Sequence, residues 1–348
     1  VVYFSKNNHA YEWVTGRGWD QNDWEIKKFP DKNILDSLFP ETPVLLKRID
    51  GHAALANREA LDRAEITIQS KVDGGVVEVR NNSLTGILID NAIGLVEAAM
   101  PPPSKEQFIN ALRDAEKDCF AVGLTTVDDA GLDLEIVKLI DSLQRDGSLK
   151  MKLYVMLNPT AENFNYYTAN GIYKTKGLNV RSFKFYSDGA LGSRGACLLK
   201  PYTDDPGNNG FLLNDPAYFE EKANLVYSMG FQMNTHCIGD SGNRLILDVY
   251  GKVLEGSNDH RWRIEHAQVI HPDDFEKFGK YNIIPSIQAT HATSDMYWAI
   301  DRLGAERIKG GYAYKKLMEQ NGMLAGGSAF PVESINPLLG FYAAIARK

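Results

Sequence analysis

At 348 residues, 44% hydrophobic and 24% charged, the chain has an ordinary globular composition and the length of one large α/β barrel or two average domains. A formal charge of −7 and a pI near 5.6 argue against nucleic acid or an anionic membrane surface as the main partner. No apolar run approaches the ~18 residues of a membrane span, and Val1-Val2-Tyr3, with no initiator Met, reads as the start of a piece of a longer protein.

The first strand-like run is Val44–Ile49, leading into Asp50-Gly51-His52. Pro101-Pro102-Pro103 then stops the chain, and Ser104 opens a helix with Phe108, Leu112, Ala115 and Cys119 at helical spacing. Gln107 completes a capping box, and Gly123 ends the helix. A short strand over 124–127 runs into an acidic loop, Asp128 to Gly131, whose Asp128 and Asp129 read as caps. The pattern then repeats: a helix over 132–145, strands at 152–157 and 180–186, a helix near 216–229 and a strand at 231–236. A helix near 240–254, a strand at 261–266, a helix over 272–278 and a strand at 283–287 follow. A helix around 305–320 and a strand at 323–328 close the series.

Seven strands separated mostly by helices predict a parallel sheet with right-handed crossovers, one strand short of an eight-stranded barrel. The rival, an open doubly wound sheet, would ordinarily carry a glycine-rich phosphate loop after an early strand, and none is present. The expected fold is therefore an α/β, (β/α)8 TIM-type barrel, one strand short in the residues given. Residues 1–103 read as a long excursion, a cap over its mouth, and residues 104–348 as the barrel. Cys119, Cys197 and Cys237 are too widely spaced for a zinc knuckle or a disulfide framework and read as reduced, partly buried thiols.

Polar groups gather at the strands' C-terminal ends, where such barrels do their chemistry. Lys184, His236 and His266 end three successive strands. Each alone reads as a structural residue, but in that order they converge on one mouth. Imidazoles suit a divalent metal, zinc above all. Lysine lacks a lone pair as an ammonium and becomes a ligand only when carbamylated.

These blocks resemble the amidohydrolase superfamily, in the YtcJ-like branch that includes N-substituted formamide deformylases. The matching runs are Gly16 to Asp20, Arg48 to His52 with Asn57, Gly123 to Val127, Phe183 to Arg194, His236 to Asp240, Arg263 to Gln268 and Gly327 to Val332. The resemblance implies a barrel whose first strand carries a His-x-His metal pair and precedes the residues given, so that the barrel is incomplete at both ends. It makes residues 1–103 an insertion between the first and second strands and has residues 104–348 supply strands two to eight, with Lys184, His236 and His266 on strands four, five and six. It implies one or two divalent ions, a small-molecule substrate, hydrolysis of an amide or formamide C–N bond and, as one oligomer, a homodimer. His291 is a candidate for contact with substrate or intermediate, and His52 and Arg194 for lining the pocket. Against these stand a polar loop histidine, a cap residue and a surface salt bridge. Asp188, Asp240 and Glu265 are candidates to orient the metal ligands, whereas His9, His260 and His271 read as surface residues.

One departure stands out. The family carries Ser-Asp-x-Pro on the last strand, where the aspartate binds metal and takes the proton from water; this chain has Ser328-Ala329-Phe330-Pro331. An engineered knockout, a degenerate homologue and a wrongly assigned residue all account for Ala329. They leave two further readings open: a non-catalytic binding or regulatory barrel with a degenerate metal site, and a related deaminase or esterase.

Overall fold

The computed structural model describes residues 12–346, so His9 lies outside the described residues. The chain divides into two compact units. The first runs to Pro102 and takes in Asp188–Asn214 and Tyr297–Arg302; the second holds Pro103–Ser187, Asp215–Met296 and the chain from Leu303 on.

In the first unit a five-stranded sheet has the order β1-β2-β3-β5-β4. It is built from β1 (Val14–Trp19), β2 (Val44–Arg48), β3 (Ala53–Ala56), β4 (Gly75–Arg80) and β5 (Ser83–Asp90). Alternation along the strands makes two cores. Leu45, Ala54, Ala56 and Leu88 pack with Val96 on one face, while Val14, Val44, Leu55 and Ile87 pack with Leu35 on the other. Asn57 is fully buried and ties the unit locally. Its Oδ1 accepts from Val44 N (2.8 Å) and Ala60 N (3.0 Å), and its Nδ2 donates to the carbonyls of Phe39 and Thr42. Only the 44–49 strand of this region was legible in the sequence, because the remaining strands are short and broken by glycine.

The second unit carries the expected rhythm: β6 (Thr126–Leu132), β7 (Lys152–Leu157), β8 (Tyr173–Lys174), β9 (Leu178–Tyr186), β10 (Gln232–Cys237), β11 (Arg263–His266), β12 (Ile284–Ile287) and β13 (Ala325–Gly326). All but the small antiparallel β8 run parallel, in the order β13-β12-β11-β10-β9-β7-β6. Among the described residues the sheet is thus a curled parallel half-barrel, with β6 and β13 at its ends. Helices Leu134–Arg145, Ala161–Asn170, Pro216–Ser228 and Asp240–Leu254 alternate with the strands. On the outer face Phe183 stacks on Phe164 at 4.4 Å, and Phe185 meets Tyr218 edge-on. On the inner face, Tyr154 donates to Gln232 (2.6 Å) and Arg263 bonds Asp128 (2.7 Å).

Five expectations need correction. The acidic run at 128–131 is strand rather than loop, because it pairs with β7 across a bulge. Asp128 is an ion-pair partner and no cap, a role that falls to Asp133. The helix expected over 305–320 is split: Ala299–Arg307 is interrupted at Gly304 (φ +72), and Tyr314–Asn321 follows a 3-10 turn. The segment at 272–278 is likewise a 3-10 turn followed by a short helix, and the last strand shrinks to Ala325–Gly326.

The helix Lys105–Ala121 begins with the expected box: Ser104 Oγ accepts from Gln107 N (3.2 Å), and Gln107 Oε1 accepts from Ser104 N (2.7 Å). Ser104→Ala is expected to lower unfolding free energy by about 1 kcal/mol, read from urea midpoints at unchanged m. The three cysteines are unbridged, with Cys119 and Cys237 buried.

Candidate functional site

Three candidate ligands come together at the ends of β9, β10 and β11. Strand alternation puts Lys184 and Tyr186 on one face of β9, and Gln232, Asn234 and His236 on one face of β10. Tyr186 is the register partner of His236. The Lys184 Nζ lies 3.4 Å from the centroid of the Tyr186 ring and donates to Phe185 O at 3.3 Å. The Tyr186 and His236 rings stand 5.3 Å apart, and those of His236 and His266 4.7 Å apart in an edge-to-face arrangement. His291, which opens the helical turn His291–Ser294 after β12, stacks on His266 at 5.8 Å.

The meeting of His236 with His266 is not what a regular strand would give. His236 pairs in register with Glu265, and His266 with Cys237. Neighbouring partners point to the same side, so an extended His266 would face away from His236. His266 instead has φ +73 and Ala267 φ +43, a left-handed pair that turns the imidazole back. Such conformations cost roughly 1–3 kcal/mol each and gather where geometry matters more than stability.

Three further contacts fix the strand ends. Ser187 donates from both N and Oγ to His236 O at 2.9 Å. Tyr250, fully buried on the helix Asp240–Leu254, contacts Thr235 Oγ1 (2.7 Å) and donates toward the carbonyls of Met233 and Arg263 (3.0 and 3.3 Å), tying β10 to β11 from outside. Burial drives its phenol well above the ordinary range, so it stays a hydrogen-bonding hydroxyl. Gln288 Oε1 meets His266 Nδ1 at 2.5 Å. Gln288 is the functional contact the sequence reading missed, although it precedes His291 by three residues. A carbonyl oxygen facing Nδ1 favours the Nδ1–H tautomer and leaves Nε2 as the donor atom toward a metal.

Glu265, a candidate to orient the ligands, accepts from Arg263 Nε at 2.7 Å. Burial works against the Arg263 charge, but Glu265 and Asp128 outweigh it and hold the guanidinium above its ordinary range. Asp240 is the buried first residue of its helix. Ala329 follows β13 by three residues, has φ +53 and offers a methyl group where the family's oxygen is expected. Among the described residues no group of three or more His, Cys, Asp or Glu could hold a metal. His236 and His266 thus offer two imidazoles, and a third donor would have to come from Lys184 as a carbamate.

His52, Arg194 and Asp188 belong to the first unit. Arg194 bonds Asp204 (2.8 Å), and Asp188 accepts from Cys197 N (2.8 Å). His52 Nδ1 meets Asp90 Oδ1 at 2.6 Å. The Asp90 carboxyl is enclosed so tightly that a Cβ on Gly189 or Gly195 would fall 2.2 or 2.3 Å from its Oδ2. Burial raises this carboxyl above its ordinary 3.8, against the pull of His52. A raised folded-state value means the folded chain holds the proton more tightly. The stability it adds is present below about 3.8 and is lost as pH rises through the raised value. Wild-type stability minus that of Asp90→Asn is accordingly expected to fall from about pH 3 to pH 7 in urea titrations, and a flat or rising difference refutes the assignment.

Comparison with known proteins bears on the sequence and the fold as a whole. The family model described as "Amidohydrolase family" matches residues 3–348. YtcJ of Bacillus subtilis (strain 168), a protein named as an amidohydrolase, is 34% identical over 97% of this chain and 64% of its own length. The protein LONG AFTER FAR-RED 3 of Arabidopsis thaliana is 32% identical over 98% of this chain and 61% of its own. This chain thus spans a little under two thirds of either relative. A crystal structure of an uncharacterized metal-dependent hydrolase from Pyrococcus horikoshii OT3 superposes with a TM-score of 0.77 at 25% identity, covering 99% of this chain and 67% of that one. Over its whole described length, in fold and in sequence, the chain belongs to the amidohydrolase family.

Proposed function

We propose that this chain is the greater part of a metal-dependent hydrolase that cleaves a C–N bond in an amide or formamide. One observation carries the reading: His236 and His266 meet edge-to-face at adjacent strand ends only because His266 adopts a left-handed backbone. A purely structural histidine has no need of that strain.

His236 and His266 would hold a divalent ion, zinc by donor type, and Lys184 would join them as a carbamate, which could bridge a second ion. Such an ion supplies Lewis-acid activation of water and of the substrate carbonyl. Gln288 keeps the His266 ring oriented with its Nε2 lone pair outward. His291, stacked on His266, would donate a hydrogen bond to the substrate carbonyl. Position 329 is where a carboxylate would take the proton from water and return it to the leaving amine.

The test is binding of zinc itself. The full chain is expected to bind zinc stoichiometrically by calorimetry and elemental analysis, and His236→Ala to weaken that binding by about 100-fold or more. That is at least the loss caused by removing an orienting partner. His260→Ala, which alters a histidine whose ring lies tilted against Tyr227, is expected to bind as the wild type does. Equal binding by both variants overturns the reading.

A further inference from the structure

A second cluster of charged side chains lies wholly inside the first unit. There a cleft of about 440 Å³ is lined by Lys27, Arg194 and Arg302 on the cationic side and by Asp204 and Asp301 on the acidic side, with Trp298 and Ile300 as apolar wall. The charge count is three against two, an excess of one positive charge.

The arginines compete for one acceptor. Arg194 Nη2 bonds Asp204 Oδ2 at 2.8 Å, and Arg302 Nη1 bonds the same oxygen. Arg302 is almost wholly buried (side chain 6% exposed), donates from Nη2 to Asn22 Oδ1 at 2.9 Å and lies 5.5 Å from the centroid of the Trp298 ring. Burial above all, and then the facing charge of Arg194, push its guanidinium below its ordinary range against the pull of Asp204. Arg194 is a quarter exposed and stands at φ +62. L-residues rarely adopt that conformation, and here it carries a guanidinium fork that lines the cleft.

From this charge excess beside an aromatic wall we infer that the cleft is a binding site for a small organic carboxylate carrying a flat apolar group. Its carboxylate takes the outward donors of Arg194 and the ammonium of Lys27, relieving the shared claim on Asp204, and its apolar body lies along Trp298 and Ile300. Guanidinium and carboxylate match in bidentate geometry, which favours a carboxylate over a spherical anion.

Calorimetry on the full chain with benzoate, inorganic phosphate and benzylamine tests this without any need for hydrolysis. Saturable benzoate binding is expected, weakened about tenfold by Arg194→Gln and about threefold by Lys27→Ala, in line with a charge-assisted bond and an exposed charge respectively. Asp204→Asn raises the charge excess to two and is expected to tighten benzoate about threefold. A structural salt bridge alone would not produce that gain. Lys27→Ala leaves every named hydrogen bond intact and serves if Arg194→Gln fails to fold. The inference is overturned if benzoate gives no saturable heat, if benzylamine binds as well, if inorganic phosphate matches benzoate, or if Lys27→Ala and Asp204→Asn both leave benzoate binding unchanged.

Discussion

Replacing Ala329 by Asp is expected to raise hydrolysis of amide or formamide substrates by about 10²- to 10⁴-fold, the range that a positioned general base contributes. The backbone already suits the change. Ala329 has φ +53, where alanine is unfavourable and Asp and Asn are several-fold enriched. The substitution removes a mismatch between residue and backbone, so thermal stability is expected to hold or rise slightly. Activity is read by amine release across a panel of amides, formamides, esters and cyclic ureas in the presence of zinc. Ester-only or ring-deaminating activity would keep the hydrolase and move the bond. A folded, zinc-binding Ala329→Asp protein that turns over nothing leaves the non-catalytic binding barrel as the surviving account. Ala329 itself motivates that alternative, since a methyl group can neither coordinate an ion nor accept a proton.

The half-barrel was legible because its signals are local and repeated. Ser104 with Gln107, the β-branched and aromatic strands, and polar residues at each strand's C-terminal end all announce their element within a few positions. The failures have one physical source: interactions made across sequence distances that no local pattern encodes. Asp128 read as a loop or cap residue because nothing in its neighbourhood points to Arg263, with which it pairs inside the sheet. Gln288, three residues before His291, carried no expected role, since a neutral amide announces no chemistry until His266 is seen 2.5 Å away. The left-handed turn at His266 and Ala267 was equally hidden: neither residue type signals a positive φ, and alternation would have sent the imidazole to the wrong face. Breaks at Gly304 and at Gly310-Gly311 were visible as glycines, but not as the split of one expected helix. The first unit was least legible because the strands of its sheet, apart from Val44–Arg48, are short or interrupted by glycine.

Arg48→Met is expected to cost about 3–5 kcal/mol of unfolding free energy, the loss seen when one partner of a buried ion pair is removed and its counter-charges remain. Arg48 is 2% exposed, and its guanidinium meets Asp20 through Nη2, Asp50 through Nη1 and Gln21 Oε1 through Nε at 2.8 Å. Burial opposes its charge, but Asp50 and Asp20 outweigh that and hold it above the ordinary arginine range. A Cβ on Gly192 would come within 2.8 Å of two guanidinium nitrogens, so the pocket closes tightly around the fork. Methionine restores volume but leaves two carboxylates facing each other with little water. Lysine keeps the charge but cannot span both carboxylates, so Arg48→Lys should lose roughly half as much. Neutralising the acids as well, in Arg48→Met with Asp20→Asn and Asp50→Asn, should recover much of the loss, because the penalty lies in the orphaned charges rather than in a missing attraction. Asp50 Oδ1 also accepts from His52 N at 3.0 Å, so the loop that carries His52 should loosen with the network. Hydrogen exchange at the His52 amide reports this directly. If Arg48→Met unfolds at the wild-type urea midpoint, Asp20 and Asp50 have reached water without the guanidinium, and Arg48 is not the charge around which this loop is built.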